Sequence, residues 1–109
     1  MARQVVIAAS DKKAADIVLL DARRICSFTD YLVICSGDSH QQLEAIRNEV
    51  GEALKKVGVR PHHCEGTINS GWLLMDLNDV IVHIFTPVER ANYQLDRLFS
   101  KATPIIRIQ

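Results

Sequence analysis

The stretch that decides the fold is Gly71 to Pro87, reading GWLLMDLNDVIVHIFTP. Two apolar runs flank one polar break at Asn78-Asp79, which is a hairpin signal. Asn-Gly is the preferred turn pair, and here Asp79 stands where the glycine would be. With Asn78 and Asp79 as the loop, Leu77 faces Val80, Met75 faces Val82 and Leu73 faces Ile84. Strand side chains alternate, so these aliphatic residues share one face. Trp72, Leu74, Asp76, Ile81, His83 and Phe85 share the other. A four-residue loop would keep the same faces, and a three-residue loop would scramble them. The first face reads as core. The second mixes aromatic, aliphatic and titratable groups, and reads either as a more polar core or as a place where something binds.

Working outward, Pro87 pre-sets entry into a helix expected over Glu89 to Phe99. Glu89 suits its positive end, and Ala91, Leu95, Leu98 and Phe99 make its apolar stripe. Pro104 introduces a tail with Ile105, Ile106 and Ile108, for which the sequence offers no function. Upstream, Gly66 to Gly71 reads as a polar loop and His62 to Glu65 as a short strand near an edge. Ser39 to Val57 is the clearest helix. Ser39 with Gln42 makes a capping-box pattern, and Leu43, Ile46, Val50, Ala53, Leu54 and Val57 form one stripe. Lys55 and Lys56 suit the C-terminal dipole end, Gly58 is placed as a C-cap, and Gly51 weakens the interior. Asp16 to Asp21 and Tyr31 to Ser36 are short, uniformly apolar runs, hence buried strands. Arg3 to Ser10 reads as a helical turn or two. This mixed order points to an α/β (α+β) domain, a two-layer mixed sheet of about five strands with flanking helices. There is no repeat or linker, so residues 1–109 read as a single domain.

Thirteen acidic residues balance thirteen basic ones, which argues against affinity built mainly on phosphate neutralisation while leaving room for a local basic patch. No run approaches the roughly 20 apolar residues that span a membrane. Three widely spaced cysteines, Cys26, Cys35 and Cys64, read as reduced thiols.

Each chemical motif has a plainer explanation. Gly37-Asp38-Ser39 lies at a helix N-terminus but lacks phosphate-loop spacing, so it reads as a cap. His62-His63-Cys64-Glu65 has no second ligand pair at zinc spacing, and no metal is expected there. Asp76 and Asp79 could pair on magnesium, yet turn chemistry accounts for Asp79. No cofactor and no catalytic residue are expected.

Several ordered motifs resemble the ribosomal silencing factor, or iojap-like, family. They are DIVLLDAR (Asp16 to Arg23), SFTDYLVICSG (Ser27 to Gly37), HCEG (His63 to Gly66), the hairpin itself and ERANYQLDRLF (Glu89 to Phe99). Asn78 stands where the family commonly has glycine, and Phe99 where it commonly has tryptophan. The resemblance implies a nucleotidyltransferase-like fold without catalysis, and a cytoplasmic translational repressor. It implies binding to the large ribosomal subunit through its L-fourteen protein, blocking of subunit joining, and a homodimer when free. On that basis Trp72, Leu74 and Phe85 are expected to anchor the partner and Asp76 and His83 to pair with its polar groups. Thr86, Pro87, Arg90 and Tyr93 are expected to extend the rim. Membrane contact and nucleic-acid binding beyond ribosomal contacts are not expected. The rivals are an active nucleotide enzyme using Ser36, Gly37, Ser39, Asp76 and Asp79, and a homodimeric scaffold whose mixed face is its own dimer contact.

Overall fold

The computed structural model describes every residue from Met1 to Gln109. Six strands form one sheet in the order β3-β4-β5-β2-β1-β6, one more than the sequence suggested. They are β1 (Ala15–Asp21), β2 (Tyr31–Ser36), β3 (His63–Glu65), β4 (Trp72–Asp76), β5 (Val80–Phe85) and β6 (Thr103–Ile108). The additional strand is the isoleucine-rich tail, which pairs antiparallel with β1 and places Ile106 opposite Leu19 and Ile108 opposite Ile17. Only β2 and β5 run parallel; the other neighbours are antiparallel.

The hairpin adopts the register read from the sequence, with Leu73 opposite Ile84 and Met75 opposite Val82. The Leu77 N–H donates to the Val80 carbonyl at 2.8 Å, and Asn78 takes φ +78°, a left-handed turn that asparagine tolerates. Its aliphatic face is buried with Ile17, Leu19, Val33 and Cys35 beneath two helices, α1 (Ala2–Asp11) and α2 (His40–Lys56). In α1, Val5, Val6, Ala8 and Ala9 are buried, so the expected turn or two extends to ten residues. In α2, Leu43, Ile46, Val50 and Leu54 are the buried stripe, while Val57 is exposed beyond the last turn. Ser39 caps α2, accepting from the Gln42 N–H. The Gln42 side-chain Oε1 accepts from the Asp38 N–H at 2.7 Å, one residue short of the reciprocal capping-box bond. Gly58 adopts φ +75° just past the helix end.

The last helix is not continuous. It divides into α3 (Pro87–Tyr93) and the single turn α4 (Leu95–Leu98), because Gln94 takes a left-handed φ of +52° between them. Leu95 and Phe99 turn toward the second sheet face and pack on Leu20, Leu32, Ile34 and Phe85, whereas Leu98 and Ala91 are exposed. The two faces are therefore unequally covered, by two full helices on one side and by short pieces on the other. No helix is long and apolar enough to cross a membrane.

Candidate functional site

The second face of the hairpin carries a stack of rings. Trp72 lies opposite Phe85 across the β4–β5 ladder, and Leu74 lies opposite His83. The Trp72 and Phe85 rings stack at 5.4 Å between centroids, Trp72 and His83 at 5.8 Å, and His83 and Phe85 at 6.0 Å. Tyr93, the last residue of α3, tilts against Trp72 at 4.3 Å. Thr86 brings it there by capping α3, its hydroxyl accepting from the Glu89 N–H, with Pro87 at the first turn.

Phe85 is fully buried and His83 is 7% exposed, so both lie inside the chain beneath the outer groups. Trp72 and Leu74 are half-buried, and Tyr93 is 49% exposed. The outer surface thus consists of Trp72, Leu74 and Tyr93, while Phe85 and His83 hold it from below. These three outer residues line a cavity of about 250 Å3 together with Glu65, Gly66 and Ser70. Gly66 has φ +88°, and a Cβ there would collide with the Trp72 carbonyl. The glycine of the His63–Gly66 motif is what lets this loop close beside the tryptophan.

The Trp72 indole N–H donates to His83 Nδ1 at 3.1 Å. An indole N–H only donates, so Nδ1 must be an acceptor and the imidazole is neutral with its proton on Nε2. Burial pushes the His83 pKa down to about 4, which keeps the acceptor free at neutral pH.

Arg90 does not sit on the rim as expected. Its side chain is only 12% exposed and makes a clasp. One guanidinium nitrogen donates to the Asp16 carbonyl at 2.7 Å and to the Ser36 hydroxyl at 2.9 Å. The rest of the fork binds the Asp96 carboxylate at 2.9 and 3.0 Å and holds that carboxyl below its usual pKa. The Asp16 carbonyl is available because β1 is irregular between Ala15 and Val18, with Asp16 at φ +48°. The sequence gives no sign of this clasp, since Asp16 and Ser36 stand far from Arg90 along the chain and Asp96 meets it only because the helix breaks at Gln94.

The remaining candidates have structural roles. Asp76 accepts from the Asn78 N–H at 2.8 Å within the hairpin turn. Thr86 is half-buried as a cap, and Pro87 is exposed. His63 and Glu65 pair at 2.9 Å on the exposed edge strand β3, and no three His, Cys, Asp or Glu side chains converge as a metal site would need. Cys35 is buried in β2, where desolvation pushes its thiol up to about 12.

A family model described as ribosomal silencing factor during starvation matches residues 1–109. The ribosomal silencing factor of Bacillus subtilis is 39% identical over 95 residues, covering 87% of this chain and 80% of that protein. That of Halalkalibacterium halodurans is 37% identical over 100 residues, covering 92% and 86%. A crystal structure of a protein from Chromobacterium violaceum superposes with a TM-score of 0.87 at 30% identity, over 99% of this chain and 90% of that one. The family model, the relatives and the superposed structure each match nearly the whole length: the chain belongs to the ribosomal silencing factor family.

Proposed function

We propose that this chain is a cytoplasmic translational repressor that docks on the large ribosomal subunit through its L-fourteen protein and sterically prevents the small subunit from joining. No bond is made or broken. The observation that carries the reading is the half-exposed Trp72, fixed by a hydrogen bond at its nitrogen and by rings beneath and beside it. A rigid aromatic whose side chain loses little freedom on binding is the usual energetic anchor of an interface. Leu74 and Tyr93 widen the apolar contact, and Asp76, Glu65 and Pro87 border it. Phe85, His83 and Arg90 act through the residues they hold in place.

The nucleotide-enzyme alternative would need Ser36 and Asp76 free for phosphate and magnesium. Ser36 instead accepts from Arg90, and Asp76 is engaged in its turn. We therefore read the chain as a non-enzyme. The scaffold alternative, with the aromatic face as a homodimer contact, competes for the same surface. Mixing with large subunits would then have to dissociate the free dimer before docking.

Truncating a hot-spot aromatic costs about 2 kcal/mol or more, roughly thirtyfold in affinity. Trp72→Ala is expected to weaken co-sedimentation with purified large subunits by that factor while Phe85 and its neighbours keep the sheet folded. Undiminished binding by a folded Trp72→Ala chain would remove Trp72 as the anchor, and a wild-type chain that fails to co-sediment would remove the function itself.

A further inference from the structure

We propose that the groove between α2 and the edge strand β3 is a second docking surface, which grips the phosphate backbone of ribosomal RNA. The groove measures about 650 Å3. Arg47, Gly51 and Lys55 stand at i, i+4 and i+8 of α2 and line it as one row. Arg60, from the connection after the helix, lines it too. Neither Arg47 nor Arg60 has an ion-pair partner, and Lys55 has only Glu52 at 3.9 Å. Three cations against one carboxylate make a local positive excess in a chain whose formal net charge is zero. Guanidinium forks match phosphate oxygens in pairs, and the lysine adds a point charge.

Gly51 is the independent observation. A glycine in a helix interior is destabilising, and close packing is the usual reason to keep one. Here a Cβ would meet no atom within 4 Å, so nothing inside the chain requires it. The notch it leaves lies midway between two cations. A strand of polyanion laid along the row would place phosphates at Arg47 and Lys55, about 12 Å apart along the helix axis, with its backbone passing close over the notch.

The groove and the aromatic platform stand back to back. Leu74 and Met75 are neighbours in β4 and point to opposite faces; Leu74 lines the aromatic cavity and Met75 the groove. Glu65 and Cys64 divide in the same way. A chain seated by its aromatic face would thus keep the basic groove uncovered by that contact and open to a separate stretch of polyanion. The inference takes its source of RNA from the docking reading above, and the two are tested separately.

Labelled chain is titrated over a range of salt with purified large subunits and, separately, with a short RNA hairpin. The slope of log K against log salt changes by roughly 0.7 to 0.9 for each phosphate contact. The double variant Arg47→Gln, Arg60→Gln is therefore expected to flatten the slope by roughly 1.5 with both probes. Trp72→Ala should lower affinity for subunits at every salt concentration and leave the slope unchanged. Gly51→Leu, uncharged and with its Cβ in open space, should melt no lower than wild type yet bind subunits about tenfold more weakly. Unchanged slopes in the double variant, or wild-type binding by Gly51→Leu, overturn the groove. Undiminished binding by Trp72→Ala overturns the platform and leaves the groove standing. A wild-type chain that binds neither probe overturns both.

Discussion

At the scale of single residues, the site depends on a histidine that must stay neutral. Its pKa is about 4 in the folded chain against 6.5 for a free histidine. Between those values the unfolded chain binds a proton that the folded chain refuses, so stability rises with pH across that window. The His83 contribution is complete above pH 6.5 and is lost as the pH falls toward 4; it amounts to up to about 3 kcal/mol. Trp72 is the single tryptophan and reports directly on this bond through its fluorescence. We expect the urea midpoint to fall between pH 7.5 and 4.5 by more in wild type than in His83→Asn, which keeps an acceptor but cannot titrate. Equal falls would assign the pH dependence to other groups. The pairing of Trp72 with Phe85 and of Leu74 with His83 was legible in the sequence, because a two-residue period and one turn fix it. That Phe85 and His83 lie under the surface was not, because Tyr93 covers Trp72 and Phe85, and Leu95 packs on the cluster around Phe85, from a segment whose path depends on a left-handed Gln94. Arg90 was misread for a similar reason: an arginine one turn into a helix looks like a surface residue until a distorted strand offers it a carbonyl.

At the scale of elements, α2 and the α3–α4 corner differ in what sets them. The boundaries of α2 follow from Ser39 and Gly58, and its interior is ordinary apart from Gly51. Gly51→Ala should raise stability by up to about 1 kcal/mol, since the methyl group meets nothing and the helix gains propensity. A denaturant midpoint below wild type would mean that Gly51 has a packing role after all. The corner after Pro87 depends instead on Arg90, which ties α3 to β1, β2 and α4 at once. Arg90→Lys keeps a charge but not the fork. It should cost about 2 kcal/mol, the scale of hydrogen bonds to a charged donor, and loosen Tyr93 from Trp72. Amide exchange would locate the change: faster exchange confined to α3 and α4 fits the clasp, and protection as in wild type does not.

At the scale of the whole molecule, the sheet is assembled from two local units. β1 and β2 are one, the β4–β5 hairpin with β3 another, and the parallel β2–β5 ladder joins them. The β4–β5 hairpin was readable from its apolar runs and turn residues, while β1 and β2 were readable only as buried strands and β3 only as a short strand near an edge. The joining ladder was not, since nothing local in a uniformly apolar strand states which other strand it will meet. The tail was unreadable for the same reason: three isoleucines acquire a role only beside β1. Ending the chain at Ala102 should leave the β1 edge bare, lower stability and promote self-association, as unpaired flat edges do. Sedimentation velocity at rising concentration would show it, and a monodisperse, equally stable truncated chain would contradict it. The pairing of β6 with β1 also joins the first strand to the last. During synthesis β1 emerges early and waits with one edge open through the making of every other strand. It is covered only when residues 103–108 have cleared the exit tunnel, so until then that edge has to be kept from pairing with any other strand it meets.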